Sequence, residues 1–433
     1  MELEQTICAI LDAELIPALG CTEPMAFGLC AAAARAQTTG EIQELLCEAS
    51  PARIKGVQSV MIPRSGGQSG GKMACALGAL AGRMEDGMEV FQRVLPEHTA
   101  LAKALVTSGA VKLRQAEIEA RLWVRVTVRT SEGSGCAIVQ DRHDAVVYLS
   151  RGDTVCFDRR TQPAASEVPV DYSALSVSRI VSFCREAPME SLARPAEAAV
   201  RNWALCEEGL QGRYGMQAGR TLMQGGAPRL GDGFAMEVIR AACAGVDARM
   251  AGAPLPAMSN SGSGNQGLTC TAPVVAAGRL LERPQDEIVR AVAVANLMTI
   301  LVKTQSGPDE GRMSPACCAA FAAGGAACGI GFLRGDGADC LERVMQTVLG
   351  NVCGLICDGA KANCAAKVGM ALHGALQALV LAEAGLGADA RCGIVDCTLP
   401  QTIRNVFRLQ REAMPQLERV LCRIEAEKSG GLH

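Results

Sequence analysis

The sequence predicts an α+β protein that is predominantly α, with a large helical domain into which a small α+β domain of mixed sheet is inserted. Apolar residues recur at helical spacing near the start and again from about Asp171 onward. Strand-like alternation occurs between these two regions. We therefore expect residues 1–46 and 165–433 to form the helical domain and residues 47–164 to form the inserted domain.

The first helices follow from periodicity and from residues that favour helix starts. One apolar helical face is formed by Ile7, Ile10, Leu11 and Leu15. A second helix is expected after the segment LGCTEP, where Thr22 suits the N-cap and Pro24 suits the first turn.

The inserted domain is predicted from alternating segments. RIKGVQSVMIP predicts a first strand, and LWVRVTVRT alternates apolar and polar residues. SEGSG predicts a hairpin turn, after which CAIVQ and DAVVYL continue the sheet. Helical patterns at residues 72–80 and 99–113 lie between the first strand and the others.

The last part of the chain predicts closely packed helices. Aromatic residues are only 3% of the chain, which favours small residues where helices cross. Residues 313–333 carry no charge over a length that suits a membrane span. Because this segment is mostly Ala, Gly and Cys, we interpret it as a buried helix of a soluble protein.

Composition favours a small-molecule partner and a reducing compartment. The 42 basic and 45 acidic residues give a net charge of -3, so nothing indicates binding to nucleic acid or to a membrane. The 21 cysteines lie in apolar segments without the spacing of a disulfide scaffold, and the N-terminal segment lacks the features of a signal peptide. We expect a cytoplasmic protein with reduced thiols that acts as a homodimer.

Two glycine-rich segments resemble anion-binding loops. GGQSGGKM, residues 66–73, nearly matches a phosphate-binding loop, but Met73 replaces the hydroxyl that would bind magnesium. SNSGSGNQG, residues 259–267, is similar to the phosphate loop of pyridoxal phosphate enzymes, yet no lysine lies between Lys112 and Lys303 to form a Schiff base. The second loop still suits a carboxylate, with a structural turn as the alternative. Its candidate substrate-binding residues are Asn260, Ser261, Ser263 and Asn265.

Cys21 and Glu23 are candidate catalytic residues. A thiol just before a helix N-terminus is expected to have a lowered pKa, which would make Cys21 a base or a nucleophile. Glu23 is placed to orient a substrate amine, or only to complement the helix dipole.

The cysteines near residues 317–364 are candidate metal ligands. The four histidines lie far from them in sequence, which argues against zinc, whereas an iron–sulfur cluster accepts cysteines from distant segments. Several sets remain open from spacing alone, drawn from Cys317, Cys318, Cys353, Cys357 and Cys364.

Six segments in the same order along nearly the whole chain resemble the L-cysteine desulfidase family, relatives of the iron–sulfur L-serine dehydratases. They are GCTEP, SNSGSGNQG, SPACC, GAACGIGFL, ICDGAKANC and GIVDCTLPQTIRN. The resemblance implies a [4Fe-4S] cluster with one open iron site, bound by Cys317, Cys357 and Cys364. It also implies that Cys21 is the catalytic thiol, and we add Lys361 of CDGAK as a candidate substrate-binding residue.

The resemblance implies a lyase that releases sulfide from L-cysteine and leaves pyruvate and ammonia. An open iron would act as a Lewis acid on the substrate sulfur while Cys21 removes the Cα proton. One alternative is an L-serine dehydratase, which expels hydroxide by the same means, although SNSGSGNQG lacks the histidine of the dehydratase loop. The other alternative is a non-catalytic iron–sulfur redox sensor.

Overall fold

The computed structural model describes residues 2–118, 122–161, 170–224, 233–305 and 316–430. The helices within these ranges are α1 Glu2–Glu14, α2 Thr22–Arg35, α3 Pro51–Val57, α4 Gly71–Ala81, α5 Pro96–Thr107, α6 Val177–Glu186, α7 Ala193–Gln211, α8 Ala218–Gln224, α9 Phe234–Met250, α10 Gly264–Leu280, α11 Gln285–Thr304, α12 Cys318–Arg334, α13 Ala338–Val352, α14 Cys364–Glu383, α15 Leu399–Glu412 and α16 Met414–Gly430. The strands are β1 Pro17–Leu19, β2 Ile42–Ala49, β3 Val111–Gln115, β4 Trp123–Thr130, β5 Gly133–Gln140, β6 Val146–Arg151, β7 Thr154–Asp158 and β8 Pro256–Met258.

Six of the strands form one mixed sheet in the order β3-β2-β4-β5-β6-β7. β2 and β3 are parallel, and the other neighbours are antiparallel. The predicted alternation of β4 is confirmed, because Val124, Val126 and Val128 are fully buried while Arg125 and Arg129 are exposed. The short strands β1 and β8 pair separately.

One hydrophobic core lies between this sheet and helices α2 and α4. The two helices cross at glycines, since a Cβ atom at Gly78 would overlap the carbonyl oxygen of Gly28. Larger side chains at this crossing would force the helices apart.

A second, larger core is formed by the helices of the C-terminal part together with α1. Small residues permit close approach here too: a Cβ atom at Gly325 of α12 would lie 2.5 Å from the carbonyl oxygen of Ala295 in α11. The predicted use of small residues at helix crossings is therefore confirmed at these contacts.

The predicted fold class, a predominantly helical α+β protein with a mixed sheet, is confirmed. The domain division at 46/47 and 164/165 stays a prediction. Strand β2 continues across residue 46, and α2 contributes Met25, Phe27 and Cys30 to the core of the sheet.

Two predictions within the inserted region are wrong. RIKGVQSVMIP does not form a strand, because Pro51 starts helix α3 and β3 and β4 already occupy both sides of β2. The helix predicted over residues 99–113 ends at Thr107, where Gly109 adopts a left-handed conformation with φ 80° before β3 begins.

Among the helices that the structure describes, one, α14, is long and apolar enough to cross a membrane, and half of its apolar window is buried inside the protein. Such burial is typical of a core helix. α12 contains most of the uncharged segment 313–333 and is almost fully buried, as predicted, while residues 313–315 lie outside the described residues.

Replacing Gly78 with Ala should destabilise the protein by about 1–3 kcal/mol, because the added methyl group meets the backbone of α2. Chemical denaturation should show this as a lower midpoint. Gly354→Ala is the control, since a Cβ atom there meets nothing within 4 Å. A Gly78→Ala protein no less stable than the control would contradict the close crossing.

Candidate metal centre and active site

The candidate site is a cavity of about 170 Å³ whose walls come from both cores. On one side lie the start of α2, helix α3 and the turn between β5 and β6. On the other side lie the glycine-rich loop before α10, the end of α9, and the starts of α12 and α14. Elements distant in sequence therefore converge on one small space.

Three thiols predicted as metal ligands line this cavity, namely Cys317, Cys357 and Cys364. The segments of Cys317 and Cys357 are joined by an antiparallel bridge between Ala316 and Ile356. In it, the Cys317 N–H donates to the Leu355 carbonyl oxygen over 2.8 Å. The bridge places the first thiol of the pattern beside the second although 39 residues separate them in sequence.

The third thiol is positioned by a tight turn. Cys364 is the first residue of α14, and the Lys361 N–H donates to its Sγ over 3.5 Å. Burial raises the pKa of Cys364 to about 12 and also raises the pKa of Cys357. A metal would have to displace these protons, because thiolates are the form that binds metals.

The donor set is compatible with an iron–sulfur cluster, because thiols from separate segments of the chain line one cavity. Thiols spread around a cavity suit a cluster, since its irons occupy separate corners and each takes its own thiolate.

Cys318 lies in the same cavity and follows Cys317 directly. Ser263 Oγ lies 3.5 Å from Cys318 Sγ. The adjacent Cys317 thiol, together with Ser263 and the charges of Lys303 and Arg249, lowers the pKa of Cys318 to about 6 despite burial. Cys318 is therefore well placed to compete with Cys317 as a ligand.

Cys21 lies at the N-cap of α2 and lines the cavity with only 5% of its surface exposed. Its pKa was expected to be lowered by the helix terminus, and that expectation is wrong. Burial raises the pKa of Cys21, and the nearby charge of Arg249 opposes burial without overcoming it. Removal of water from a thiolate outweighs a helix dipole at this depth.

Glu23 also lines the cavity, two residues into α2. It forms an ion pair with Arg53 of α3, and His143 Nε2 from the turn between β5 and β6 lies 3.7 Å from Glu23 Oε1. Burial alone would raise the pKa of Glu23, but Arg53, His143 and Lys55 outweigh it and leave the pKa below its ordinary value. Glu23 is thus held as a carboxylate.

The predicted substrate-binding residues separate into two groups. Ser261, Ser263 and Asn265 line the cavity. Asn260 is fully buried away from it, where its side chain bonds with Asn296, Ser261 and Gln266 and holds the loop together. Lys361 is half-buried and does not line the cavity.

Sequence reasoning missed the cations of the cavity wall. Arg249 and Lys303 are 2% and 4% exposed, and Arg53 and Lys55 come from the segment that was predicted as a strand. Lys303 did carry a signal, because it is an isolated lysine at the end of a long apolar run. His143 carried none, since it reaches the cavity only through the fold of the sheet.

The loop GGQSGGKM stands apart from this site. Helix α4 begins at Gly71, within the segment, but the element before the segment is helix α3, followed by an isolated bridge between Met61 and Ser69. All residues between α3 and α4 are described and form no strand, so the loop does not directly follow a strand as a phosphate loop does.

Comparison with known proteins agrees with the resemblance found in the sequence. The family model of the serine dehydratase alpha chain matches residues 85–422. A UPF0597 protein of Oleidesulfovibrio alaskensis is 36% identical over 420 residues, which cover 97% of each chain. A UPF0597 protein of Lachnoclostridium phytofermentans is 34% identical over 417 residues, covering 96% of this chain and 98% of the relative.

A third relative, UPF0597 protein YhaM of Escherichia coli O157:H7, is 33% identical over 432 residues, covering 99% of this chain and 98% of the relative. None of the three names states an activity. The match to the family model covers well over half of the sequence. The chain therefore belongs to the serine dehydratase alpha-chain family and is a serine-dehydratase-like lyase.

Proposed function

We propose that this lyase is an iron–sulfur-dependent L-cysteine desulfidase of the cytoplasm, converting L-cysteine to sulfide, pyruvate and ammonia. The observation that carries the proposal is the convergence of Cys21 with Cys317, Cys357 and Cys364 on one small cavity that also holds ionised side chains. A redox sensor would not need a substrate-sized space with charged walls beside its thiols.

The three thiols would hold a [4Fe-4S] cluster, and the family is known for iron–sulfur dependence. When bound, such a cluster supplies an open iron that acts as a Lewis acid on a leaving group, and a substrate thiol is a soft ligand suited to iron. The remaining chemistry belongs to side chains of the chain itself.

Cys21 would accept the Cα proton of the substrate as general base. Its position within the cavity and the nearby positive charge of Arg249 support this role, because Arg249 favours the thiolate. Loss of the Cα proton and of the β-sulfur as sulfide leaves aminoacrylate. Aminoacrylate tautomerises and takes up water to give pyruvate and ammonia, which requires little from the protein.

L-serine is the alternative substrate, and the family description favours it. The same cavity would hold serine, with hydroxide as the leaving group. Two features favour cysteine: the glycine-rich loop has no histidine, and the cavity walls are rich in thiols. The two activities differ in one product, so sulfide release separates them.

Replacing Cys357 or Cys364 with Ser should remove most of the iron and the broad visible absorption of anaerobically purified protein, because each change deletes a thiolate ligand. Cys353→Ser is the matched control, since Cys353 is half-buried in the same region but does not line the cavity. The measurement is the iron content per chain. An iron content that is unchanged in both Cys357→Ser and Cys364→Ser would refute the ligand set.

Replacing Cys21 with Ser should leave the iron content unchanged and lower turnover by about 100-fold or more, the usual contribution of a general base. A Ser hydroxyl is a far weaker base than a thiolate. The assay follows sulfide and pyruvate from L-cysteine, and pyruvate from L-serine, without oxygen. Cys156→Ser, which alters an exposed thiol, is the control. Full activity of Cys21→Ser would exclude the base role, and a preference for L-serine would make the enzyme a dehydratase.

Replacing Arg53 with Met should raise the pKa of Glu23 and destabilise the protein by about 1–3 kcal/mol at neutral pH, because a carboxylate that is only 15% exposed loses its ion-pair partner. The pKa of Glu23 is lowered in the folded state, so its stabilising effect is present above the ordinary value of 4.5 and is lost at lower pH. The difference from wild type should therefore shrink as the pH falls below that value.

Denaturant unfolding at several pH values measures this difference. Arg408→Met is the control, because the ion pair of Arg408 with Glu412 lies at the surface and should contribute little. A stability difference for Arg53→Met that does not depend on pH would show that Arg53 acts through packing alone.

A further inference from the structure

We propose that Arg249 and Glu23 form a clamp that binds the α-carboxylate and the α-ammonium group of an amino-acid substrate. This inference rests on the proposed function and adds to it the two residues that select a zwitterion. Both side chains line the cavity that contains the thiols.

Arg249 is a buried cation whose charge is not balanced by a neighbouring carboxylate among the described residues. It lies at the end of α9 with 2% of its surface exposed. Its Nη1 donates to Asn265 Oδ1 over 2.8 Å, whereas its buried Nε has no hydrogen-bond partner among the described residues. In the part of the chain that the structure describes, no carboxylate lies within ion-pair distance of the Arg249 guanidinium. A buried charge without a counter-ion is costly, so a carboxylate ligand would stabilise this arrangement.

The fold fixes the direction of this guanidinium. A Cβ atom at Gly264 would lie 2.6 Å from Arg249 Cζ and 2.7 Å from Nη2, so only glycine permits the close packing of the group against the start of α10. Asn265 bonds it from the next position. A planar group held in this way is already oriented for two parallel hydrogen bonds to a carboxylate.

Glu23 offers the complementary charge. Arg53 and His143 both approach its Oε1, while its Oε2 is buried and has no hydrogen-bond partner among the described residues. An ammonium group carries three N–H donors and no acceptor, which matches a free carboxylate oxygen. A molecule with one group for each site must carry both an ammonium and a carboxylate.

A different role for Arg249 would be to balance the negative charge of the thiolates, since its charge favours the thiolate form of both Cys21 and Cys318. That role predicts loss of iron in Arg249 variants and equal effects on every ligand. The clamp predicts effects that depend on which charged group a ligand carries.

The experiment measures dissociation constants by anaerobic calorimetry with three thiols. α-Methyl-L-cysteine has both charged groups but no Cα hydrogen, so it cannot be eliminated. Cysteamine lacks the carboxylate, and 3-mercaptopropionate lacks the ammonium group. All three share the thiol, so any contact of sulfur with the cluster is common to them.

In Arg249→Met, binding of α-methyl-L-cysteine and 3-mercaptopropionate should weaken about 10- to 100-fold, the effect of losing a charged hydrogen bond, while cysteamine binding stays within about twofold. In Glu23→Gln, the binding of α-methyl-L-cysteine and of cysteamine should weaken, whereas the binding of 3-mercaptopropionate should not. Arg249→Lys keeps the charge without the planar group, and we expect an intermediate loss.

Two variants serve as matched controls with no expected effect. Arg240→Met alters another arginine of α9, which pairs with Glu237, and Glu97→Gln alters an exposed glutamate in the first turn of α5. Iron content and thermal unfolding are recorded for every variant, so that a misfolded protein is recognised. If Arg249→Met does not fold, Arg249→Lys provides the test.

Equal weakening of all three ligands in the Arg249 variants, or no weakening, would overturn the clamp. Wild-type protein that binds none of the three ligands would overturn both the clamp and the proposed function. If the ligands bind in the predicted pattern but L-cysteine releases no sulfide, the clamp would be supported. Only the proposed desulfidase activity would then be refuted.

Discussion

The site depends on one short antiparallel contact, the bridge between Ala316 and Ile356. The hydrogen bond from the Cys317 N–H to the Leu355 carbonyl oxygen joins the start of α12 to the segment after α13. Without it, the thiols at 317 and 357 would belong to separate parts of the helical core. Because the two segments are held by backbone groups, the side chains remain available for a ligand.

The other main feature of the cavity is its balance between buried thiols and buried cations. Burial disfavours thiolates, and it raises the pKa of Cys21, Cys357 and Cys364. The chain counters this with buried cations, of which Arg249 and Lys303 are nearly inaccessible to solvent. Such a wall of positive charge suits bound anions, whether thiolates on a metal or a substrate carboxylate.

The sequence allowed the parts with local signals to be predicted. The alternation of β4 and the small residues of α12 both depend on neighbours a few positions apart, and both predictions agree with the structure. The strand predicted for RIKGVQSVMIP has no place beside β2, because β3 and β4 already flank it, which is a matter of distant pairing. Arg249 and His143 escaped prediction for the same reason, since only the tertiary fold brings them to the thiols.

The pKa of Cys21 shows why local arguments have limits even where the residue is well chosen. The helix N-terminus is present as predicted, but it acts on a group that is almost completely desolvated. A helix dipole contributes between a few tenths and about 2 kcal/mol, whereas burying an ion without a partner costs several kcal/mol. The thiolate of Cys21 therefore needs a second positive charge, and Arg249 is the cation that the fold supplies. A substrate carboxylate bound to Arg249 would weaken that support, so substrate binding and the basicity of Cys21 are coupled through one guanidinium.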